Sequence, residues 1–313
     1  MHDGSKRAVI AALVANLGIA IAKSVGFVIT GAASMQAEAI HSLADSGNQA
    51  LLLWGSAAAK REASVSHPFG YGRERYFWSF VVALVIFSMG SLFAIYEGIH
   101  KVVDPHALSN PGVAVGILIF GLLLEGFSFR MAVKEANLHR KGSWWRFIKR
   151  TKNPELPVVL LEDLGALLGL MIALVGIGLA VITGDPRFDA AGSIAIGILL
   201  AVIAVVLAIE MKSLLIGESA SEADVDLLSE VILSGEEVKR IIHMRTLHVG
   251  PEELLVAAKL EFDSSLTLRE ISPLINEVEA RVRESLPIAT IIYIEPDVYD
   301  PEIAMQSDLQ WNR

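Results

Sequence analysis

The fold class follows from the sequence PVVLLEDLGALLGLMIALVGIGLAVI at residues 157–182. Its only charged residues are two neighbouring carboxyl residues, Glu162 and Asp163. An α-helix needs roughly 20 predominantly apolar residues to cross the hydrocarbon core of a bilayer. The core helices of ordinary soluble domains do not contain apolar runs of this length, so this stretch alone predicts a membrane protein.

Five further stretches of similar character lie before residue 216, at residues 7–30, 35–58, 75–100, 112–133 and 190–215. Composition agrees, because 53% of the 313 residues are hydrophobic and only 19% are charged, against roughly 25% in a typical soluble domain. We therefore predict a membrane α-helical domain with six transmembrane helices over residues 1–216. The amino terminus leads directly into the first stretch without a signal-peptide cleavage site, so we expect that span to be retained.

Basic residues are concentrated in two of the predicted loops. The loop after the second span runs from Lys60 to Arg75, and the loop before the fifth contains seven Lys and Arg between Lys134 and Lys152. Cytoplasmic loops carry an excess of Lys and Arg, so we expect both loops, and with six spans both termini, in the cytoplasm. The predicted location is the cell (inner) membrane, as a multi-pass integral protein in contact with lipid.

Residues 217–313 differ in composition, since the chain from Glu218 onward has 20 Asp and Glu against 8 Lys and Arg. Their patterns predict a small cytoplasmic αββαβ domain of the α+β, ferredoxin-like kind. The predicted elements are Glu222–Leu233, Val238–Val249, Leu254–Phe262, Thr267–Leu286 with a capping box, and Ala289–Ile294, with a polar end beyond Pro296. An acidic domain argues against nucleic acid as a partner and attracts cations.

The segment HSLAD in the second span carries His41 and Asp45, four residues apart. This spacing places an imidazole and a carboxylate on one helix face, where the pair can hold a metal ion. Ionisable residues at membrane depth usually face a cavity, a partner or a substrate path. The alternative is that the two side chains bond only to each other or to neighbouring helices.

Glu162 and Asp163 form a second acidic pair, within LLEDLGALLGL of the fifth span. Two adjacent carboxylates in an apolar helix need a cation nearby, either a metal ion or a basic residue such as Lys23. Neighbouring helix positions point about 100° apart, so we expect one of the two to lie closer to a bound ion than the other.

The chain has no cysteine, so any metal must be bound by His, Asp or Glu. Four such ligands from two helices suit Zn²⁺ in a tetrahedron, while the carboxylates also suit Mn²⁺, Fe²⁺ or Co²⁺. A ligating histidine must be neutral and a ligating carboxylate deprotonated, so metal binding competes with protons. Exchange of metal for protons follows from this competition.

Residues 16–45, with Asn16, Lys23, Ser34, Glu38 and HSLAD, resemble the first two spans of the cation diffusion facilitator family. The six predicted spans and the acidic αββαβ tail resemble the rest of that family. The resemblance implies a homodimer that exchanges a divalent metal for protons. It also implies a transport site made of two residues in the second span and two in the fifth.

On that pattern His41 and Asp45 match the second-span pair, and Asp163 matches the second member of the fifth-span pair. The first member is often histidine in the family, but this chain has Val159, which cannot bind a metal. The missing ligand is then expected from Glu162, or from Glu125 in the fourth span. HSLADSGNQ together with LLED resembles the branch containing the mitochondrial zinc transporter, which also lacks that histidine, and this favours Zn²⁺.

Asn48, three residues beyond Asp45, is a further candidate, either as an amide-oxygen ligand or through a hydrogen bond between helices. Glu125 likewise has an alternative role, as the partner of Arg130 or in a polar contact between helices.

Two other metal sites of the family are expected to be absent here. In the loop HPFGYGRERYFW only His67 stands at a matching position. In the tail, the positions that resemble the family's metal ligands are occupied by Ile242, Lys259, Tyr293 and Glu295, and a lysine repels a metal ion. His243 and His248 lie five apart on a strand and so on opposite faces. We therefore expect the tail to serve mainly in dimerisation.

The sequence thus favours a secondary transporter rather than an enzyme, with proton-coupled efflux of Zn²⁺ or a similar ion from the cytoplasm. A non-transporting membrane metal sensor or partner subunit is the alternative. An intramembrane metalloprotease needs a helical H-E-x-x-H motif, which the sequence does not contain.

Overall fold

A computed structural model describes residues 3–106, 108–140 and 142–299, with side chains from Leu17 onward except that of His139. The side chain of Asn16 and the predicted polar end from residue 300 onward therefore lie outside the described residues. The chain divides into two compact units. The helical unit contains the residues up to Arg61 and Glu74–Lys212, and the tail unit contains Glu62–Arg73 and the chain from Ser213 onward.

The helical unit is built from long helices. They are α1 (Asp3–Thr30), α2 (Ala33–Ala58), α3 (Glu74–Val85), α4 (Phe93–Val103), α5 (Pro111–His139), α6 (Trp144–Arg150), α7 (Glu155–Thr183) and α8 (Arg187–Ile216). A π-helical segment, Ile86–Leu92, joins α3 to α4 without a break. Local chemistry sets several ends: Pro111 starts α5, the Ser143 hydroxyl caps α6, and Gly184 closes α7 with a φ of 73°.

Four helical segments of the described chain are long and apolar enough to cross a membrane, where the sequence predicts six. They are Glu74–Val103, Pro111–Leu138, Glu155–Thr183 and Arg187–Ile216. The helices α1 and α2 are also long, at 28 and 26 residues. Within α1 the described apolar part is Leu17–Thr30, and α2 is less apolar because one side of it carries buried polar residues.

The amino-terminal end of α2 is held by a residue of another helix. Asp189, in the first turn of α8, accepts hydrogen bonds from the backbone amides of Ala33 and Ser34, at 2.5 and 3.2 Å, and from the Ser34 hydroxyl. The first amides of a helix have no partner within the helix, so a carboxylate at this place satisfies them. Asp189 thereby fixes the start of α2 against α8.

The tail unit has the predicted order αββαβ. Its elements are α9 (Glu222–Leu233), β1 (Arg240–Gly250), β2 (Glu253–Glu261), α10 (Leu268–Ser285) and β3 (Ile291–Asp297). The strands form one sheet in the order β1-β2-β3, with β1 antiparallel and β3 parallel to β2. The capping box of Thr267 and Glu270 is confirmed at the start of α10. The last strand begins at Ile291 rather than Ala289, because the amides of Ala289 and Thr290 close a turn after α10.

One face of this sheet is covered by α9 and α10, and the other is open. Along β2 the residues alternate, and Leu254, Val256, Ala258 and Leu260 are buried among the apolar residues of the helices. His248 is buried while His243 is exposed, which confirms that they lie on opposite faces.

The loop between α2 and α3 groups with the tail unit, although the predicted boundary places it in residues 1–216. A side chain at Gly72 would lie 2.6 Å from the Glu253 carboxylate and 2.8 Å from the carbonyl oxygen of Val249. Only glycine allows this close approach of two backbones.

Candidate metal site

One face of α2 carries four buried polar residues in a row. Glu38, His41, Asp45 and Asn48 follow each other at spacings of three, four and three residues, which places them on one side of the helix. Their exposed fractions are 0%, 1%, 8% and 0%. This row, which we call the α2 polar face, extends the predicted pair of His41 and Asp45 by one turn in each direction.

A carboxylate from α7 meets this face. Asn48 donates from Nδ2 to Oε1 of Glu162 over 2.9 Å, and the carboxyl groups of Asp45 and Glu162 lie within hydrogen-bonding reach of each other. Nδ1 of His41 lies 3.4 Å from Oδ1 of Asp45. The structure therefore brings together one imidazole, two carboxyl groups and one amide from two helices.

Asp163 points elsewhere. Its Oδ2 accepts a hydrogen bond of 3.0 Å from the Ser128 hydroxyl of α5. Consecutive residues of a helix diverge by about 100°, so Glu162 and Asp163 cannot both face α2. Val159, one turn before Asp163, packs against the apolar core of the helical unit.

Glu125 of α5 lies close to the site without a direct bond to it. Its side chain is 9% exposed, and its charge acts on Asp45, Glu162 and Asp163. Within the described part of the chain no ion pair joins it to Arg130. Glu125 thus adds negative potential beside the pair of Asp45 and Glu162.

Lys23 of α1 is the cation that the sequence offered as an alternative partner for the acidic pair of α7. The structure pairs it with Glu38 of α2 instead, at 3.0 Å, and its ammonium also donates to the Ser42 hydroxyl over 2.7 Å. No lysine or arginine therefore neutralises Glu162 or Asp163 among the described residues.

Three contacts at this site were not foreseen from the sequence: Lys23 with Glu38, Ser128 with Asp163, and the Asp189 cap of α2. The contact of Lys23 with Glu38 could have been predicted, because each is a charged residue within a predicted span and such residues seek a partner. Glu38 also precedes His41 by three residues and so shares its helix face. The other two depend on which helices are neighbours, and spacing along one helix does not contain that information.

Among the described residues no group of three or more His, Asp and Glu is arranged around a common centre for a metal ion. At the α2 polar face Asn48 donates a hydrogen bond to Glu162, whose carboxyl group lies near that of Asp45, while both ring nitrogens of His41 have no hydrogen-bond partner among the described residues. These are nitrogen and oxygen donors of the type that bind divalent transition metals. An ion that binds Oε1 of Glu162 must compete with the hydrogen bond from Asn48.

The open face of the tail sheet carries a fixed cation. Nζ of Lys259 lies 3.2 Å from Oε1 of Glu295 and 2.7 Å from Oδ2 of Asp297. The hydrogen bonds that Lys259 donates to Asp297 and then to Glu295 raise the pKa of Lys259, and the bond from Lys259 lowers the pKa of Asp297. The Lys259 ammonium thus takes the place that a metal ion would need between Glu295 and Asp297.

Comparisons with known proteins agree with this architecture. The family model described as the cation efflux transmembrane domain matches residues 9–216, and the model of the cation efflux protein cytoplasmic domain matches residues 220–297. The human mitochondrial proton-coupled zinc antiporter SLC30A9 is 33% identical over 250 residues, which are 79% of this chain and 44% of that protein. Metal tolerance protein C4 of Arabidopsis thaliana is 29% identical over 268 residues, which are 85% of this chain and 59% of that protein.

This chain thus spans about half the length of these relatives. A solved structure of the carboxyl-terminal domain of MamM in a nickel form is 18% identical, covers 26% of this chain and 100% of its own, and gives a TM-score of 0.24. The two family models together cover the chain from the first helix to the last strand. The chain is therefore an integral membrane protein that belongs to the cation efflux family, the cation diffusion facilitators, and resembles its mitochondrial zinc branch.

Proposed function

We propose that this protein transports a divalent transition-metal cation across a membrane, in exchange for protons and outward from the cytoplasm. The observation that carries the proposal is the contact between the α2 polar face and Glu162. Buried carboxyl groups in apolar helices are costly unless they serve a substrate or a partner. Among the described residues no lysine or arginine forms an ion pair with Asp45 or Glu162, so a metal ion or protons are the proposed partners of these carboxyl groups.

The proposed ligands are His41, Asp45 and Glu162, with Asn48 orienting Glu162 or contributing its amide oxygen. Oδ1 of Asn48 and Nε2 of His41 are buried and have no hydrogen-bond partner among the described residues, so both are free to bind an ion. Asp163 and Glu125 contribute charge from the second side of α7 and from α5. Glu162 takes the position of the ligand that Val159 cannot supply.

Zinc is the metal that we propose, with Mn²⁺, Fe²⁺ and Co²⁺ as competitors. A set of one imidazole, two carboxylates and one amide suits a four-coordinate ion. The human relative is named as a proton-coupled zinc antiporter. Competition with protons follows because His41, Asp45 and Glu162 bind metal only in their deprotonated forms.

The proposed architecture has six spans with both termini in the cytoplasm, made of a transport domain over residues 1–216 and a dimerisation domain over 217–313. The basic loops support this orientation. The match of the second domain to the cytoplasmic domain of cation efflux proteins supports a homodimer. We propose the cell (inner) membrane as the location, and lipid, metal ions and protons as the partners.

Vesicles reconstituted with the full chain, a metal-sensitive dye inside and an imposed pH gradient test this function. Wild type is expected to move Zn²⁺, and His41→Ala, Asp45→Asn and Glu162→Gln should each reduce the flux by at least about tenfold, the scale for loss of a ligand or its orienting partner. Asp163→Asn should reduce it less, because Asp163 bonds to Ser128. Asp104→Asn removes an exposed carboxylate and is the matched control.

Flux that is absent in wild type, or unchanged in the Asp45 and Glu162 variants, contradicts the proposal. The alternative is a membrane metal sensor or partner subunit, and the hydrogen bond that fixes Glu162 to Asn48 favours it. A sensor binds metal in a calorimetric titration, loses that binding in Asp45→Asn, and moves no ion in vesicles.

A further inference from the structure

The ion pair of Lys23 and Glu38 lies one turn from His41, on the same face of α2. Both side chains are buried, with exposed fractions of 1% and 0%. Lys23 is the only lysine or arginine among the buried residues that the structure describes. Its charge acts on His41, Asp45 and Glu125 as well as on Glu38.

Two glycines on other helices make room for this pair. A side chain at Gly169 of α7 would collide with the Glu38 carboxylate, and a Cβ at Gly121 of α5 would contact Cε of Lys23 at 3.6 Å. The pair therefore fills a space between α1, α2, α5 and α7, and it is surrounded by the helices that form the candidate metal site.

Half of the Glu38 carboxylate is unused. Oε2 is bound to Lys23, but Oε1 is buried and has no hydrogen-bond partner among the described residues. A carboxylate in this state would attract a divalent ion from the neighbouring turn if its charge were not balanced. Lys23 supplies that balance from a third helix.

We propose that Lys23 is a tethered counter-ion that prevents Glu38 from retaining the transported ion, and so sets how tightly the metal site holds its cargo. This inference rests on the proposed function. Lys23 is a positioning residue, because it acts on the ion through Glu38. Without it, the α2 polar face would present a further unbalanced carboxylate, and a divalent ion would bind more tightly and leave more slowly.

The test is a double-mutant cycle on the full chain, with Zn²⁺ flux in vesicles and Zn²⁺ affinity by calorimetry. Lys23→Met should lower both KM and Kd by about tenfold, the scale of one unit charge acting on a divalent ion at an intermediate dielectric, and should also lower kcat. Glu38→Gln leaves Lys23 unbalanced and should raise KM and Kd. The double variant Lys23→Met with Glu38→Gln should return both constants to within about threefold of wild type.

Lys101→Met is the control, because Lys101 is a partly exposed cation that pairs with Glu97 of its own helix, and its KM and Kd should stay close to wild type. A Lys23→Met protein with unchanged or weaker Zn²⁺ binding, or a double variant without rescue, overturns the inference. If Lys23→Met does not fold, Glu38→Gln decides, since unchanged Kd in that variant overturns the inference equally. Absence of wild-type flux would instead defeat the proposed function, while the Kd values still test the counter-ion.

Discussion

The protein contains the same chemical pair in two surroundings, and the two behave differently. In the helical unit Lys23 meets Glu38 with both side chains at 1% exposure or less. In the tail unit Lys259 meets Glu295 and Asp297, with 20% of the lysine side chain and 66% and 41% of the carboxyl side chains exposed. Water and salt screen the second pair but not the first, although the distances between charges are similar.

The two pairs therefore depend on their partners to different degrees. Removal of one member of a buried pair leaves a charge in a medium that cannot solvate it. An exposed carboxylate that loses its lysine is solvated by water instead. The burial of an ion pair, more than the distance between its charges, therefore determines how much stability is lost when one partner is removed.

The largest expected effect is that of Lys23→Met on stability. The variant leaves Glu38 buried without a counter-charge, which should destabilise the folded state by about 3–5 kcal/mol. Denaturant unfolding of the full chain in detergent measures it. The double variant Lys23→Met with Glu38→Gln should recover most of the lost stability. A loss below about 1 kcal/mol in Lys23→Met alone would show that Glu38 does not depend on Lys23 for its stability in the folded state.

Lys259→Met should have a much smaller effect, below about 1 kcal/mol, because both of its carboxylate partners are already solvated. Hydrogen exchange of the β2 and β3 backbone, measured by mass spectrometry on the full chain, reports it locally. In wild type the protection of β3 should decrease slightly with added salt, and in Lys259→Met it should not. Equal salt dependence in the two proteins would contradict the assigned role of Lys259.

The smallest expected effect is a dependence of the stability of the tail unit on pH. The pKa of Asp297 is lowered, first by Lys259 and then by the Val298 amide. Its contribution to stability is therefore present above the unfolded pKa of about 3.9, and is lost as the pH falls through the lower folded value. Protection of β3 should decline in acid in wild type but less in Asp297→Asn. A decline of the same size in that variant would assign the acid sensitivity to other groups.

Much of the fold was predictable from local patterns. The order αββαβ, the limits of α9 and the capping box at Thr267 and Glu270 depend on residues close together in sequence, so their spacing was sufficient. The start of β3 was predicted two residues early because Ala289 and Thr290 are consistent with a strand by composition. Their backbone amides are used in a turn after α10, which composition does not show.

The candidate site was predictable only along one helix at a time. His41 and Asp45 share a face because of their spacing, and that holds in any packing of α2. Whether Glu162 or Asp163 faces them depends on the rotation of α7, and the structure places Glu162 toward α2 and Asp163 toward Ser128 of α5. By resemblance, the sequence favours Asp163 as a ligand from the fifth span, with Glu162 as the expected substitute for the ligand missing at Val159.

Long apolar helices, an acidic α+β tail and the shared helix face of His41 and Asp45 follow from the sequence, because they depend on composition and on the 3.6-residue period of the helix. The contacts of Lys23 with Glu38, Asn48 with Glu162 and Asp189 with the start of α2 are seen in the folded chain alone. Each of these contacts joins two helices, and the neighbours of a helix are set by the packing of its whole surface. No single motif contains that information.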